Sequence, residues 1–280
     1  MQYPLVSTAW LEANLFDSNV VVLDASMASV IGKEPIVYPQ FTAIPRAEKF
    51  DLETVFVDKN SSQIHAMPTP EQFMQGIAHL GLNSDSQVVI YDDQGIYSSP
   101  RAWWMFKLMG FDRVFVLDGG LPQWLSEERM TVDEYQSLDF VPQGDFVADY
   151  QANLICDLPH VLARFDAESV QVFDARGEAR FCGQAPEPRE NMRSGHIPGS
   201  INVPFAQVLD GYKIKDVETL QALFESPGED IRERIFSCGS GITACILILA
   251  AVAAGHQNTV LYDGSWADWG SNPQVPISCC

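Results

Sequence analysis

Two short apolar runs, VVVLDAS ending at Ser26 and VQVFDAR ending at Arg176, close on the same Asp-Ala pair, with Asp24 and Asp174 150 residues apart. That self-similarity is the strongest constraint on the fold, because whatever unit the first half builds, the second must build again. Each run is preceded by a helix-start signal. VSTAWLEANL offers Ser7 or Thr8 as N-cap, and ICDLPHVLARF offers Asp157 followed by a proline in the first turn. The correspondence continues: AIPRAEKFDLE answers HIPGSINVPF, and VVIYDDQGIYSSPRAWWMFKLMGFDRVFVLDGGLPQW answers RIFSCGSGITACILILAAVAAGHQNTVLYDGSWADW. Gly110 and Gly255 sit where a helix should end, each eight residues before an aspartate, Asp118 or Asp263, that opens a turn. The pairing sets Asp92 opposite Cys238, with one residue of slippage later in the helix.

Short β-branched runs alternating with helical patterns predict an α/β fold, with a parallel sheet flanked by helices in each half. The 280 residues suit two domains of ordinary size. We expect one over 1–130 and one over 153–280, joined by a polar linker at 131–152. A net charge of -20 argues against nucleic acid and anionic membrane surfaces as partners, so an anionic substrate needs a local cationic site. The amino terminus shows no basic leader followed by an apolar run. The longest apolar stretch, Ala244 to Ala254, is roughly half of what crosses a bilayer. A buried helix in a cytoplasmic protein is the expectation.

The six cysteines are at 156, 182, 238, 245, 279 and 280. A cysteine beside a buried helix is ordinarily a small hydrophobe, and Cys245, inside the apolar run, reads so. Cys279 and Cys280 read as a loose, oxidisable tail. Cys238 differs. It follows a strand signal, ERIFS, and precedes a helix signal, and such loops at the carboxyl ends of parallel strands are where ligands bind. Gly239 and Gly241 let the backbone curl so that several N–H groups converge on one sulfur. Converging N–H dipoles favour the thiolate, which makes a nucleophile.

CGSGIT at Cys238, RFCGQAPEPRENMRSGHIPGSINVPF upstream of it and SSPRAWWMFKLMGFDRVFVLDGGLPQW in the first half together resemble the tandem-domain rhodanese family, and within it the branch that takes sulfur from 3-mercaptopyruvate. The resemblance covers nearly the whole chain. It implies two tandem rhodanese-like domains, the first inactive with Asp92 in place of the cysteine. It also implies sulfur carried as a Cys238 persulfide from a small-molecule donor to a small thiol, a thioredoxin-like protein or cyanide, with no metal or organic cofactor. The N–H groups of Gly239, Ser240, Gly241, Ile242 and Thr243 would cradle the outer sulfur. Family members that use thiosulfate carry basic residues just after the cysteine. Neutral, small Gly239 and Ser240 point to mercaptopyruvate instead.

The leaving pyruvate enolate must be protonated, which suits a hydroxyl relay. By the resemblance, Ser240, His65 of QIHAMP and Glu53 of FDLE form it. Arg180 and Arg189 match the family's pair of substrate-binding arginines, whose planar donors suit a carboxylate and a ketone. Arg193 is a weaker third. His196 of GHIPG has a structural role in the family, fixing a turn. Three alternatives stand beside this reading: a thiosulfate sulfurtransferase, a non-enzymatic sulfur-relay module and, more distantly, a cysteine phosphatase. The last needs an arginine six residues after the cysteine, where this chain has Ala244.

Overall fold

Val20–Asp24 and Val170–Asp174, the two runs that reveal the repeat, are strands, and each lies second from the edge of its own sheet. The computed structural model describes residues 3–135, 144–225 and 231–280. In the first half β1 (Leu5–Val6), β2 (Val20–Asp24), β3 (Ala47–Lys49), β4 (Gln87–Tyr91) and β5 (Val114–Leu117) form one parallel sheet ordered β1-β5-β4-β2-β3. Its helices are α1 (Thr8–Asn14), α2 (Pro70–Ile77), α3 (Ser99–Leu108) and α4 (Gly120–Ser126).

The second half repeats this with β6 (Ile155–Cys156), β7 (Val170–Asp174), β8 (Ile201–Asn202), a small hairpin of β9 (Leu209–Asp210) and β10 (Lys213–Ile214), then β11 (Glu233–Ser237) and β12 (Thr259–Tyr262). Its sheet runs β6-β12-β11-β7-β8, again all parallel. The helices are α5 (Leu158–Arg164), α6 (Glu178–Phe181), α7 (Val217–Leu223), α8 (Ala244–Ala253) and α9 (Ser265–Trp269). Asp24 pairs with Tyr91 and Asp174 with Ser237, so Asp92 and Cys238 each leave the carboxyl end of a central strand.

Local signals fix the helix starts. Ser7 rather than Thr8 is the first N-cap, its hydroxyl accepting from Trp10 N–H at 3.1 Å, and Asp157 accepts from His160 N–H at 3.0 Å. Every residue of α3 and of α8 is buried. The two helices pack against each other, and one apolar core runs through both halves, from Trp103 and Phe106 to Ile246 and Leu249. Burying each such side chain stabilises by about 1.5–3 kcal/mol, so the halves are joined through their cores. Smaller clusters around Trp124 and around Trp266 and Trp269 close the outer faces of the two sheets.

Two expectations need correction. The carboxyl terminus is not loose: Ser278 pairs with His196 through two backbone bonds of 2.8 and 2.9 Å, and Cys280 forms a disulfide with Cys182. This return is itself part of the repeat. Val132 pairs with Ala43 in the same antiparallel way, and Trp124 and Trp269 donate to the Met130 and Pro276 carbonyls at 2.8 and 2.7 Å. The start of the expected 131–152 linker therefore finishes the first repeat. Residues 136–143 of that linker lie outside the described residues. Its last part packs on the first half, with Phe146 edge-on to Phe111 and Gln151 N–H on the Leu108 carbonyl.

Candidate active site

The loop after β11 begins with Cys238, 2% exposed. Its start is tied to the first turn of α9. Cys238 N–H donates to Ser265 Oγ at 3.2 Å, and the carbonyls of Cys238 and Gly239 accept from Trp266 and Ala267 N–H at 2.9 Å each. Anchored by its carbonyls, the loop keeps its donors unspent: among the described residues, no N–H from Gly239 through Thr243 finds an acceptor. Buried backbone donors rarely go without a partner, and an anion is the natural one. Gly241 has φ +80°, and a Cβ there would stand 2.9 Å from both Arg101 Nη1 and the Asp263 carbonyl. Only glycine fits.

The first half shows what such a loop holds. Asp92 Oδ2 accepts from the N–H groups of Tyr97, Ser98 and Ser99 at 2.8–3.0 Å and from Ser99 Oγ at 2.6 Å, while Oδ1 accepts from Gln94 N–H at 2.9 Å. The pseudo-equivalent loop thus carries its own anion.

Cys238 opens into a cavity of about 200 Å³ between the halves, lined by His65, Glu53, Arg180, Arg189, Ser240 and Thr243 among others. Ser240 Oγ lies 3.2 Å from His65 Nδ1 and accepts from Arg189 Nη2 at 3.2 Å. His65 reaches in from the first half with φ +58°. Burial, then the charges of Arg101 and Arg189, push its pKa below the ordinary histidine value, against the opposing pull of Glu53 and Asp263. The imidazole is therefore neutral at neutral pH. Arg180 pairs with Glu187, whose carboxylate also holds Arg176. A Cβ on Gly239 would approach Arg180 Nη2 to 3.3 Å and Arg189 Nη1 to 3.8 Å, so both guanidinium groups flank the loop.

Other expected residues are placed differently. Glu53 lines the cavity, but its carboxylate accepts from Ala28 N–H at 3.0 Å and makes no hydrogen bond to His65, on which it acts only as a nearby charge. Arg193 is remote from the chemistry, its guanidinium donating to the carbonyls of Gly270, Val275, Trp269 and Asn272. His196 is structural, as expected: Nδ1 lies 2.9 Å from the Phe181 carbonyl and the ring stacks on Phe181. Cys245 is fully buried, and burial pushes its thiol up to about 12.

The rhodanese-like domain model matches twice, over residues 7–127 and 158–272. The chain belongs to the rhodanese family. It is 38% identical to thiosulfate/3-mercaptopyruvate sulfurtransferase 1, mitochondrial, of Arabidopsis thaliana, over 98% of this chain and 78% of that protein. It is 34% identical to the 3-mercaptopyruvate sulfurtransferase of Escherichia coli K12, over 97% and 96%. Its fold superposes on the crystal structure of an E. coli 3-mercaptopyruvate sulfotransferase with a TM-score of 0.80, covering 94% of this chain and 98% of that one at 34% identity.

In this tandem rhodanese several residues at the site carry no obvious sequence signal. Arg176, buried, pairs with Asp174 and Glu187 and stacks over Trp266 at 4.2 Å. Ser265, the first residue of α9, and Asp263, in the turn after β12, support the loop. Arg101 comes from the other half. The one clue to it was a cation within the otherwise apolar helical run PRAWWMF. A larger cleft of about 760 Å³ lies at the amino ends of β11 and β12, away from Cys238, with no cysteine among its lining residues.

Proposed function

We propose that the protein transfers sulfur from 3-mercaptopyruvate to a thiol or cyanide through a persulfide on Cys238. The observation that carries this is a cysteine whose following five N–H groups are unspent, beside two guanidinium groups and a hydroxyl shared by His65 and Arg189. On this reading the donor's carboxylate and ketone oxygens sit against Arg180 and Arg189, which places its sulfur at Cys238. The Cys238 thiolate attacks that sulfur, the carbon–sulfur bond breaks with its electron pair going to carbon, and pyruvate leaves as the enolate. Ser240 hands a proton to the enolate carbon and recovers one through neutral His65. Glu53 contributes negative charge near His65 without a direct bond.

The outer sulfur of the persulfide rests on the N–H groups from Gly239 to Thr243. An acceptor thiolate, from a small thiol or a thioredoxin-like protein, or cyanide then attacks it, and Cys238 leaves as thiolate. The catalytic unit is 153–280, with the 1–130 unit supplying His65 across the joint. No arginine stands six residues after the cysteine to clamp phosphate, and the small neutral pair Gly239-Ser240 suits a monoanionic donor better than thiosulfate.

The test is to incubate the protein with mercaptopyruvate and weigh it. A gain of one sulfur on Cys238, absent in Cys238→Ser, is expected; no adduct, or an adduct that survives the substitution, overturns the proposal. Rates with mercaptopyruvate and thiosulfate under the same conditions separate the two donors. A persulfide that small acceptors remove slowly and one protein partner removes fast would instead mark a sulfur-relay module.

A further inference from the structure

Arg101 is the third residue of α3, 1% exposed, and belongs to the half without the nucleophile. A buried guanidinium must be paired and hydrogen-bonded to keep its charge. Its partners are Asp263 Oδ1, 2.7 Å from Nη1, the Gly241 carbonyl at 3.3 Å and the His65 carbonyl. Asp263 in turn accepts Met67 N–H on Oδ2 at 2.8 Å. One ion pair therefore grips backbone groups on both sides of the His65–Ser240 contact.

The consequence for the loop follows from peptide geometry. In a trans peptide the C=O and N–H point in opposite directions. With the Gly241 carbonyl turned to Arg101, the N–H of Ile242 is turned away from Arg101. Cys245 Sγ reinforces this, donating to the same carbonyl at 3.3 Å. The arrangement is also asymmetric. Asp118, the counterpart of Asp263, likewise accepts a backbone N–H from the opposite half, Ile214 at 3.1 Å. The third residue of α8 is Ile246, so no arginine answers Arg101 on the side of Asp92. Among the described residues, the cross-half ion pair exists only behind the cysteine loop.

We propose that the Arg101–Asp263 pair is a positioning device for sulfur transfer, setting both the direction of the Ile242 N–H in the cradle and the seat of His65. It rests on the Cys238 persulfide reading. The groups facing His65 are Arg101 from α3, Arg189 and Glu53 from loops, Asp263 from the turn after β12, and Cys238 and Ser240 in the cavity. Lysine at 101 keeps the charge and loses the fork; methionine loses both.

The experiment measures the rate of Cys238 persulfide formation, the KM for mercaptopyruvate, the pH profile and the folded fraction in Arg101→Lys and Arg101→Met. In Arg101→Lys the rate should fall about 10–100-fold, with KM within about twofold, because Arg180 and Arg189 are untouched, and with an unmoved pH profile. In Arg101→Met the acid limb should also shift to higher pH, since a positive charge beside His65 is gone. A folded Arg101→Lys with the wild-type rate, or a loss that appears only in KM, overturns the proposal. Should the Arg101 variants not fold, Asp263→Asn carries the same expected loss of rate and the same refutation, with the acid limb shifted to lower pH because a negative charge beside His65 is gone. If the wild-type protein forms no persulfide, the parent reading fails. The positioning claim is then decided by His65 ring nitrogen shifts in NMR, which must change in Arg101→Lys for it to stand.

Discussion

Asp92 and Cys238 occupy the same position in two copies of one loop, each immediately after the central strand of its sheet. The Asp92 carboxylate collects the N–H groups of Tyr97, Ser98 and Ser99, whereas those from Gly239 to Thr243 meet no acceptor among the described residues. The first loop is a closed version of the second. Asp92→Ala would strand several buried donors at once. Stability should fall by about 3–5 kcal/mol, read by urea unfolding. The folded fraction should still form persulfide at the wild-type rate, and a loss of chemistry in fully folded protein would show that the first loop does more than hold itself together.

His65 makes stability and activity depend on pH in the same direction. Its folded pKa lies below the ordinary 6.5, burial being the main cause. Between that depressed value and about 6.5 the unfolded chain takes up a proton that the folded chain refuses, so stability is full above about 6.5 and declines as pH falls toward the folded pKa. His65→Gln should flatten that part of the stability profile. It should also lower the rate of persulfide formation by about 10²–10⁴-fold, within the range of a lost acid–base group. A stability profile unchanged by the substitution would place the titration elsewhere, His256 being the other histidine with a lowered pKa.

Much of this site was legible because its chemistry is local. Cys238, its glycines and Ser240 lie in one hexapeptide, and the repeat alone showed that the fold does not demand a thiol there. The arginine pair and His65 followed from the family resemblance, and they line the same cavity. Three features escaped. Arg101 and Asp263 acquire meaning only when α3 packs on the other half, a relation with no short-range signal. Glu53 is turned away from His65 by a bond to Ala28 N–H that spacing could not reveal. The Cys182–Cys280 bond joins residues 98 apart, and the tail looked loose because its two backbone bonds to His196 are too few to leave a strand pattern.

Arg180 and Arg189 should separate by what each substitution leaves behind. Arg189 gives its Nη2 to Ser240 and, on the proposed function, a donor to the substrate, so Arg189→Ala removes these two contacts and, among the described residues, no ion pair. The kcat/KM for mercaptopyruvate should fall about 10–100-fold, the worth of one charge-assisted hydrogen bond of about 1.5–3 kcal/mol, with an unchanged melting temperature. Arg180→Ala also takes a partner from Glu187, whose side chain is 1% exposed. It should lose a similar factor in kcat/KM and melt lower as well. Equal melting temperatures for the two variants would contradict this account of the Arg180–Glu187 pair.

The Cys182–Cys280 disulfide fastens Cys280 to the residue just after α6, the helix bearing Arg180. Closing a loop of 98 residues restricts the unfolded chain, and bonds of this kind stabilise by about 2–4 kcal/mol. Cys280→Ser or mild reduction should therefore lower the melting temperature. Alkylation followed by mass analysis should find Cys279, exposed, labelled in both states, Cys182 labelled only after reduction, and Cys245 labelled only on unfolding. Mercaptopyruvate turnover by the reduced protein should change little in kcat, because Ser278 still pairs with His196 and keeps the tail in place. Rapid labelling of Cys182 before reduction would show that the bond does not form in solution.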